Sequence, residues 1–158
     1  MKGRSIVFLL SFVAIASPPL AEGQDDRALL TQALNDYASA FHTFDTQRTL
    51  NHYHEPLMLV AGPAVRLMAT RADTEAWMKA FWARLKERGF ARGSEFSPLH
   101  VKQVSPTVAV ASAQFVRYKA DGQELERNGV TYVLHKTGDA WKIVVVMGHA
   151  PGNILRLD

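Results

Sequence analysis

The first predicted element is an amphipathic helix from about Asp25 to His42. Its apolar residues recur at steps of four, three and four, which places Leu30, Leu34, Tyr37 and Phe41 on one helical stripe. Asp45 is a suitable N-cap for a short second helix over residues 46–53. That helix must end before Pro56, because proline disfavours a helical conformation of the residue that precedes it.

A hairpin and a long third helix follow. The segments LMLVAG and VRLMAT flank the turn signal Gly62-Pro63 and predict two paired strands. Apolar residues four apart then predict one face of a helix, which is made by Trp77, Phe81 and Leu85. Thr70 or Asp73 is its expected N-cap, and Gly89 is the expected stop.

The remainder of the chain predicts strands, near residues 94–104, 107–119, 124–136 and 140–149. Turn signals separate them at Ser105-Pro106, Asp121-Gly122 and Gly138-Asp139. Helices followed by a run of strands indicate the α+β class, with helices on one side of the sheet. We therefore expect three N-terminal helices packed on a strongly curved, mixed or antiparallel sheet of about six strands.

The last predicted strand, WKIVVVMGH, is apolar on both faces. A half-exposed antiparallel strand normally alternates between apolar and polar residues. An apolar outer face needs a cover, and the sequence offers no further long helix. We therefore expect a homodimer that forms through the sheet.

The chain begins with the three-part pattern of a secretory signal peptide. Lys2 and Arg4 precede an apolar run of about a dozen residues, and small residues follow. Cleavage is expected after Ala16 or Ala21, which gives a signal peptide over residues 1–21 and one domain over residues 22–158. The run is short for a retained membrane anchor, the alternative interpretation. The sequence thus predicts a periplasmic or secreted protein without a membrane partner after cleavage.

Charge and cysteine content exclude several function classes. The chain has 18 Lys and Arg against 15 Asp and Glu, and the predicted leader holds two of the basic residues. The basic residues are scattered, so the electrostatic pattern of a nucleic-acid-binding protein is missing. The absence of cysteine excludes thiol catalysis and cysteine-ligated zinc. Phosphate-binding and dinucleotide-binding glycine motifs are also missing, and no cofactor is predicted.

The segment HYHEP, residues 52–56, raises a choice between a metal site, an acid–base group and a helix-to-strand junction. A metal site needs further ligands at a characteristic spacing, and no H-E-x-x-H pattern is present. We expect Tyr53 to pack inwards and one or both histidines to face water at a helix C-terminus. A polar role of His54 in a pocket is the remaining alternative. No metal site is predicted.

Two segments resemble the nuclear transport factor 2-like superfamily, which includes steroid Δ5-isomerases, scytalone dehydratase and SnoaL-type cyclases. They are ALNDYASAFHTFDTQRTLNHYHEP and DGQELERNGVTYVLHKTGDAWKIVVVMGH. The first resembles the opening helix and the helix-to-strand junction of the family, and the second resembles its closing hairpin. The resemblance implies a cone-shaped fold whose curved sheet and helices enclose a pocket.

The resemblance also assigns positions in that pocket. A hydrogen-bond donor of the steroid isomerases matches Tyr37, eight residues before Asp45. Their catalytic base would fall at Ala61, which cannot accept a proton, and their second acidic donor would fall near Tyr132. Steroid isomerisation is therefore not expected. Arg117 is expected to be solvated or at an interface, with a role in clamping a ligand as the alternative.

Five residues are candidate ligand-binding residues on this basis: Tyr37, His54, Trp77, Tyr132 and His149. The first functional hypothesis is an exported domain that binds a small apolar or amphipathic molecule in an apolar cone pocket. The alternatives are a lyase or isomerase of the SnoaL or scytalone-dehydratase type, with His54, Tyr132 and His149 as its polar groups, and an accessory protein-interaction domain. Catalytic residues cannot be assigned from the sequence.

Overall fold

The computed structural model describes residues 22–157, and the predicted signal peptide lies outside these residues. Its helices are α1 (Glu22–His42), α2 (Thr46–Leu50) and α3 (Arg71–Glu87), with a 3₁₀ turn at Pro151–Asn153. No helix within this part of the chain is long and apolar enough to cross a membrane.

Seven strands form one mixed sheet in the described part of the chain. They are β1 (Tyr53–Ala61), β2 (Ala64–Met68), β3 (Phe90–Gly93), β4 (Leu99–Ser105), β5 (Val108–Lys119), β6 (Glu124–Thr137) and β7 (Ala140–His149). The order is β2-β1-β7-β6-β5-β3, and β4 also pairs with β5. β1 and β7 are parallel, and the other pairs are antiparallel.

The expected strand count of about six is corrected to seven. The segment 94–104, predicted as one strand, begins with the gap between β3 and β4, so that β3 is an additional strand before it; both strands pair with β5. Pro98 lies in this gap, and proline has no backbone N–H for a strand ladder. The third helix is also not N-terminal to the whole sheet, since α3 lies between β2 and β3 in the chain.

The helix caps follow the predicted residues. The side chain of Asp45 accepts a hydrogen bond from the backbone N–H of Arg48 at the start of α2. Thr70 is the N-cap of α3, and Asp73 completes a reciprocal capping box with it. Each cap satisfies backbone donors that would otherwise lack a partner in the first helical turn.

The second helix ends earlier than predicted, at Leu50. Tyr53 is already in β1 and pairs with Ile143 of β7, and the backbone N–H of Ile143 donates to the carbonyl of His52. His52 is half-buried in the connecting turn, and His54 belongs to the strand. The expectation of one or both histidines at a helix C-terminus therefore holds for His52, which follows the C-cap Asn51, but not for His54, because pairing with β7 extends the strand back to Tyr53.

The core lies between the helices and one face of the sheet, which we call the inner face. Leu30, Leu34 and Phe41 of α1 are buried there, as the helical stripe predicts. On α3 the fully buried residues are Met78, Trp82 and Leu85, whereas Trp77 and Phe81 remain partly exposed. The fold is thus α+β, with three helices against a seven-stranded mixed sheet.

Candidate functional site

A pocket of about 510 Å³ opens between α1, α3 and the inner face of the sheet. Its size is within the range of small-molecule sites. Most of its wall is aromatic or aliphatic, and a smaller set of polar side chains completes it. The aromatic wall consists of Tyr37, Phe41, Trp77, Phe81, Phe96, Phe115 and Tyr132. The polar residues are His42, Arg66, Arg84, Arg88, Arg117, Glu126 and Asn128.

Three buried tyrosines form a cluster beside the pocket. The hydroxyls of Tyr37 and Tyr53 lie 2.8 Å apart, and the rings of Tyr37 and Tyr132 pack edge-to-face with centroids 5.8 Å apart. Burial raises the pKa of Tyr37 and raises the pKa values of Tyr53 and Tyr132 well above the usual range. These hydroxyls therefore stay protonated at neutral pH and can act as hydrogen-bond donors.

Helix α3 supplies a second aromatic wall. The rings of Trp77 and Phe81 are stacked, with centroids 5.7 Å apart and an angle of 14° between their planes. Ala61 and Ala64 of the hairpin line the same pocket with small side chains. The wall therefore combines flat aromatic surfaces with small side chains that leave space for a ligand.

Arg117 extends from β5 into this apolar surrounding. It is only 9% exposed, and four phenylalanine rings lie within 6.0 Å of its guanidinium carbon, the shortest distance being 4.8 Å to Phe115. The others are Phe41, Phe81 and Phe90. A cation over aromatic faces is attracted by their quadrupoles, and this attraction increases when water is excluded. The rings therefore hold Arg117 in place.

Glu126 compensates the charge of Arg117. Its carboxylate accepts hydrogen bonds from Arg117 and from Arg88 at the end of α3. Burial alone would raise the pKa of Glu126, but the two guanidinium groups outweigh burial and bring the pKa below its usual value. Glu126 is therefore ionised at neutral pH and is a weak proton acceptor.

His42, the last residue of α1, lies beside this group. Burial, followed by the positive charge of Arg117, lowers the pKa of His42 to about 4. The imidazole is consequently neutral at pH 7 and has one nitrogen free to accept a proton or hydrogen bond. Gly93 makes room for the ring, because a Cβ at that position would lie 1.9 Å from Nε2 of His42.

The arrangement of helices and sheet agrees with comparisons with known proteins. The sequence model of the family described as NTF2-like protein (DUF6841) matches residues 25–151. The chain belongs to this family. No curated protein matches the sequence of this NTF2-like protein.

Solved structures show the same fold at low sequence identity. An NTF2-like protein of unknown function from Shewanella oneidensis is 17% identical with a TM-score of 0.64, and the match covers 78% of this chain and 98% of that one. A candidate aromatic ring hydroxylase from Novosphingobium aromaticivorans is 14% identical, with a TM-score of 0.65 and coverage of 84% and 93%. A candidate dehydratase of the NTF2-like family from Streptomyces avermitilis is 13% identical, with a TM-score of 0.62 and coverage of 82% and 97%. At these identities the likeness concerns the fold alone.

The pocket of this NTF2-like protein brings together three of the five predicted ligand-binding residues. Tyr37, Trp77 and Tyr132 line it, whereas His54 and His149 do not. His54 packs against His135, with ring centroids 5.6 Å apart, and His149 contacts Thr131 with 3.0 Å between Nε2 and Oγ1. A ligand-binding role stays a prediction for all five residues.

Sequence reasoning missed the polar part of the pocket. Arg117 was expected to be solvated or at an interface, but it is buried among phenylalanine rings. Alternate residues of a strand point to the same side of the sheet. Arg117 follows Phe115 by two residues, so the sequence already indicates that both side chains lie on the same face. Glu126 is directly opposite Arg117 in the register of β5 and β6, which only the paired sheet reveals.

Metal-binding geometry is absent from the part of the chain that the structure describes. No group of three or more His, Asp or Glu side chains there is placed to hold a metal ion. His54 and His135 are neighbours but have no third ligand of this kind. The HYHEP segment forms the start of β1 and places the buried Tyr53 against Tyr37.

Proposed function

We propose that this protein binds a small, largely apolar molecule in the pocket between α1, α3 and the inner face of the sheet. The observation that carries the proposal is the combination of a volume of about 510 Å³ with a wall that is mostly aromatic or aliphatic. Burial of apolar ligand surface against such a wall is the main favourable term in binding. The protonated tyrosine hydroxyls would orient a polar group of the ligand.

The test is whether a bulky side chain inside the pocket blocks binding. Val146 lines the pocket, whereas Val104 is exposed on β4. We expect 2-naphthamide, a neutral bicyclic probe, to bind the wild type in calorimetric titrations and to lose at least about tenfold in affinity in Val146→Trp. Val104→Trp, the same enlargement outside the pocket, is expected to bind as the wild type does. Equal affinity of all three proteins would contradict the proposal.

A lyase or isomerase reaction in the same pocket is the second candidate function. The observation that favours it is the imidazole of His42 in the pocket wall, which is neutral at pH 7 and can accept a hydrogen bond or, as a weak base, a proton. Ala61, where the resemblance to steroid isomerases implies the base, also lines the pocket but has no titratable group. A reaction would therefore use His42 and not the position of that family's base.

Turnover would separate the two candidates. Conversion of a Δ5-3-ketosteroid or a β-hydroxyketone by the wild type, abolished in His42→Gln, would support the catalytic candidate. Binding of apolar probes without conversion of these compounds would support the binding function.

We also propose that two copies of the chain pair through the outer face of the sheet. The residues of this face next to β7 are aliphatic, and we call them the outer stripe: Met58, Val60, Val65, Leu67, Val133, Val145 and Met147. The strand register places them side by side, opposite to pocket residues such as Leu59 and Tyr132. Val65 and Leu67 are 68% and 60% exposed. An aliphatic surface of this kind is typical of an interaction site, and a second copy would cover it with a matching surface.

A further inference from the structure

The polar part of the pocket has two hydrogen-bond donors without an acceptor. Within residues 22–157, the buried Nε of Arg117 and the buried Nδ2 of Asn128 have no hydrogen-bond partner. A buried donor without an acceptor is unfavourable, because it has lost its hydrogen bonds to water without a replacement. Both residues line the pocket, so a bound molecule is able to supply the missing acceptors.

These two donors are neighbours in the sheet. Arg117 is opposite Glu126 in the register of β5 and β6, and Asn128 is opposite Phe115. Arg117 and Asn128 are therefore diagonal neighbours on the same face, within reach of one small group. The other end of the Arg117 guanidinium is already occupied, since its Nη1 donates to Glu126.

The charge balance of the pocket favours an anion. Four arginines line it (Arg66, Arg84, Arg88 and Arg117), and Glu126 is the one carboxylate in its wall among the described residues. His42 adds no positive charge at pH 7, because burial and Arg117 lower its pKa to about 4. The pocket wall therefore has an excess of three positive charges.

We infer that the ligand is an amphipathic carboxylate: a flat apolar body with one carboxylate group, whose two oxygens accept from Arg117 Nε and Asn128 Nδ2. This inference rests on the proposed binding function and adds the chemical class of the ligand. The body lies against the aromatic rings of Trp77 and Phe81, and the carboxylate supplies the acceptor that the buried guanidinium of Arg117 lacks. Hydrogen bonds to charged groups in a water-poor site are stronger than those between neutral groups.

The test compares two probes of nearly the same shape, 2-naphthoate and its neutral amide, 2-naphthamide. We expect calorimetric titrations of the wild-type protein at neutral pH to show at least about tenfold tighter binding of naphthoate. Equal or weaker binding of naphthoate would overturn the inference and leave the proposed binding function intact. Failure of both probes to bind would count against the proposed function as well.

Variants test which residues of the pocket cause the preference for naphthoate over naphthamide. The double variant Arg117→Gln/Glu126→Gln removes the guanidinium and the carboxylate together. Neither group then remains as a buried charge without its partner. We expect this protein to bind naphthoate and naphthamide with nearly equal affinity. Asn128→Leu, which removes the second donor and keeps both charges, is expected to reduce the preference for naphthoate several-fold.

Arg127→Gln is the matched control, because Arg127 is exposed on β6 and pairs with Glu124 outside the pocket. It also removes one positive charge and is expected to keep the full preference. A loss of preference in Arg127→Gln as large as in the double variant, or an unchanged preference in Asn128→Leu, would overturn the assigned position of the carboxylate.

Discussion

The hydroxyl of Tyr37 in α1 lies 2.8 Å from the hydroxyl of Tyr53 in β1, and both side chains are buried. Tyr132 packs on the other side of Tyr37 with its ring edge-to-face. The contact joins the first helix to the first strand at the wall of the pocket. Each hydroxyl of this pair has a hydrogen-bond partner within the protein. Both can therefore be buried beside an aromatic pocket without contact to water.

We expect Tyr37→Phe to lower the free energy of unfolding by about 1–3 kcal/mol, because the Tyr53 hydroxyl is left buried without its partner. Tyr53→Phe should have a smaller effect, since the hydroxyl of Tyr37 also interacts with that of Tyr132. Urea denaturation of both variants and of the double variant measures the coupling. Additive effects of the two substitutions would show that the hydroxyls do not interact.

The lowered pKa of His42 predicts a dependence of stability on pH. The unfolded chain takes up a proton near pH 6.5 and the folded protein only at about 4, so stability decreases as the pH falls through this window. In His42→Gln the dependence should be weaker between these pH values. It should not vanish, because burial also lowers the pKa of His52. Denaturation midpoints at several pH values measure it, and parallel curves for both proteins would contradict the prediction.

Gly93 provides the space for the His42 ring, so Gly93→Ala is expected to displace the ring. A new methyl group 1.9 Å from Nε2 must move the imidazole, and overpacking of this kind costs about 1–3 kcal/mol of stability. Gly152→Ala is the control, since no atom lies within 4 Å of a Cβ at that position. Thermal unfolding is the measurement. In a His42→Ala background Gly93→Ala should cost less, and an unchanged cost would contradict the contact.

Pairing through the outer stripe predicts a monomeric variant that remains folded. Val145 is opposite Val133 and next to Met58 on the outer face, so Val145→Glu places a charge in the proposed interface. We expect the wild type to sediment as a dimer and Val145→Glu as a folded monomer. Leu29→Glu, at an exposed position on α1, should leave the dimer intact. A monomeric wild type at micromolar concentration would refute the homodimer, and a complex with a different protein would favour the accessory-domain alternative.

The signal-peptide pattern predicts export and processing. The mature protein is expected to begin between Ser17 and Glu22, in periplasmic or secreted material. Measurement of the intact mass identifies the first residue. A full-length mass in the membrane fraction would show that the segment is a retained anchor.

Local patterns along the chain were sufficient for most elements of the fold. The stripe from Leu30 to Phe41 predicted α1 because helical spacing is a property of neighbouring residues. Asp45, Thr70 and Asp73 marked two helix starts for the same reason, since a cap bonds to backbone groups three residues away. Resemblance to the NTF2-like superfamily added the expectation of a cone with a pocket, and the family match confirms that the chain is NTF2-like.

Long-range pairing decided the features that local patterns left open. Local patterns do not predict the parallel pairing of β1 with β7. This pairing extends β1 back to Tyr53 and shortens α2. Local patterns also do not predict β3, a strand of four residues that lies before the 94–104 segment and pairs with β5.

The polar part of the pocket is likewise a result of the tertiary structure. Tyr37 and Tyr132 were accessible through the family resemblance, but Arg117, Glu126 and His42 meet only when β5, β6 and the end of α1 pack together. An arginine in a strand is ordinarily solvated, because burial of its charge is costly without a partner. The sequence by itself determined the helices, most of the strands and the aromatic character of the chain. Only the tertiary structure decided which charges are buried, because the register of β5 and β6 brings Arg117 and its partner Glu126 together under the helices.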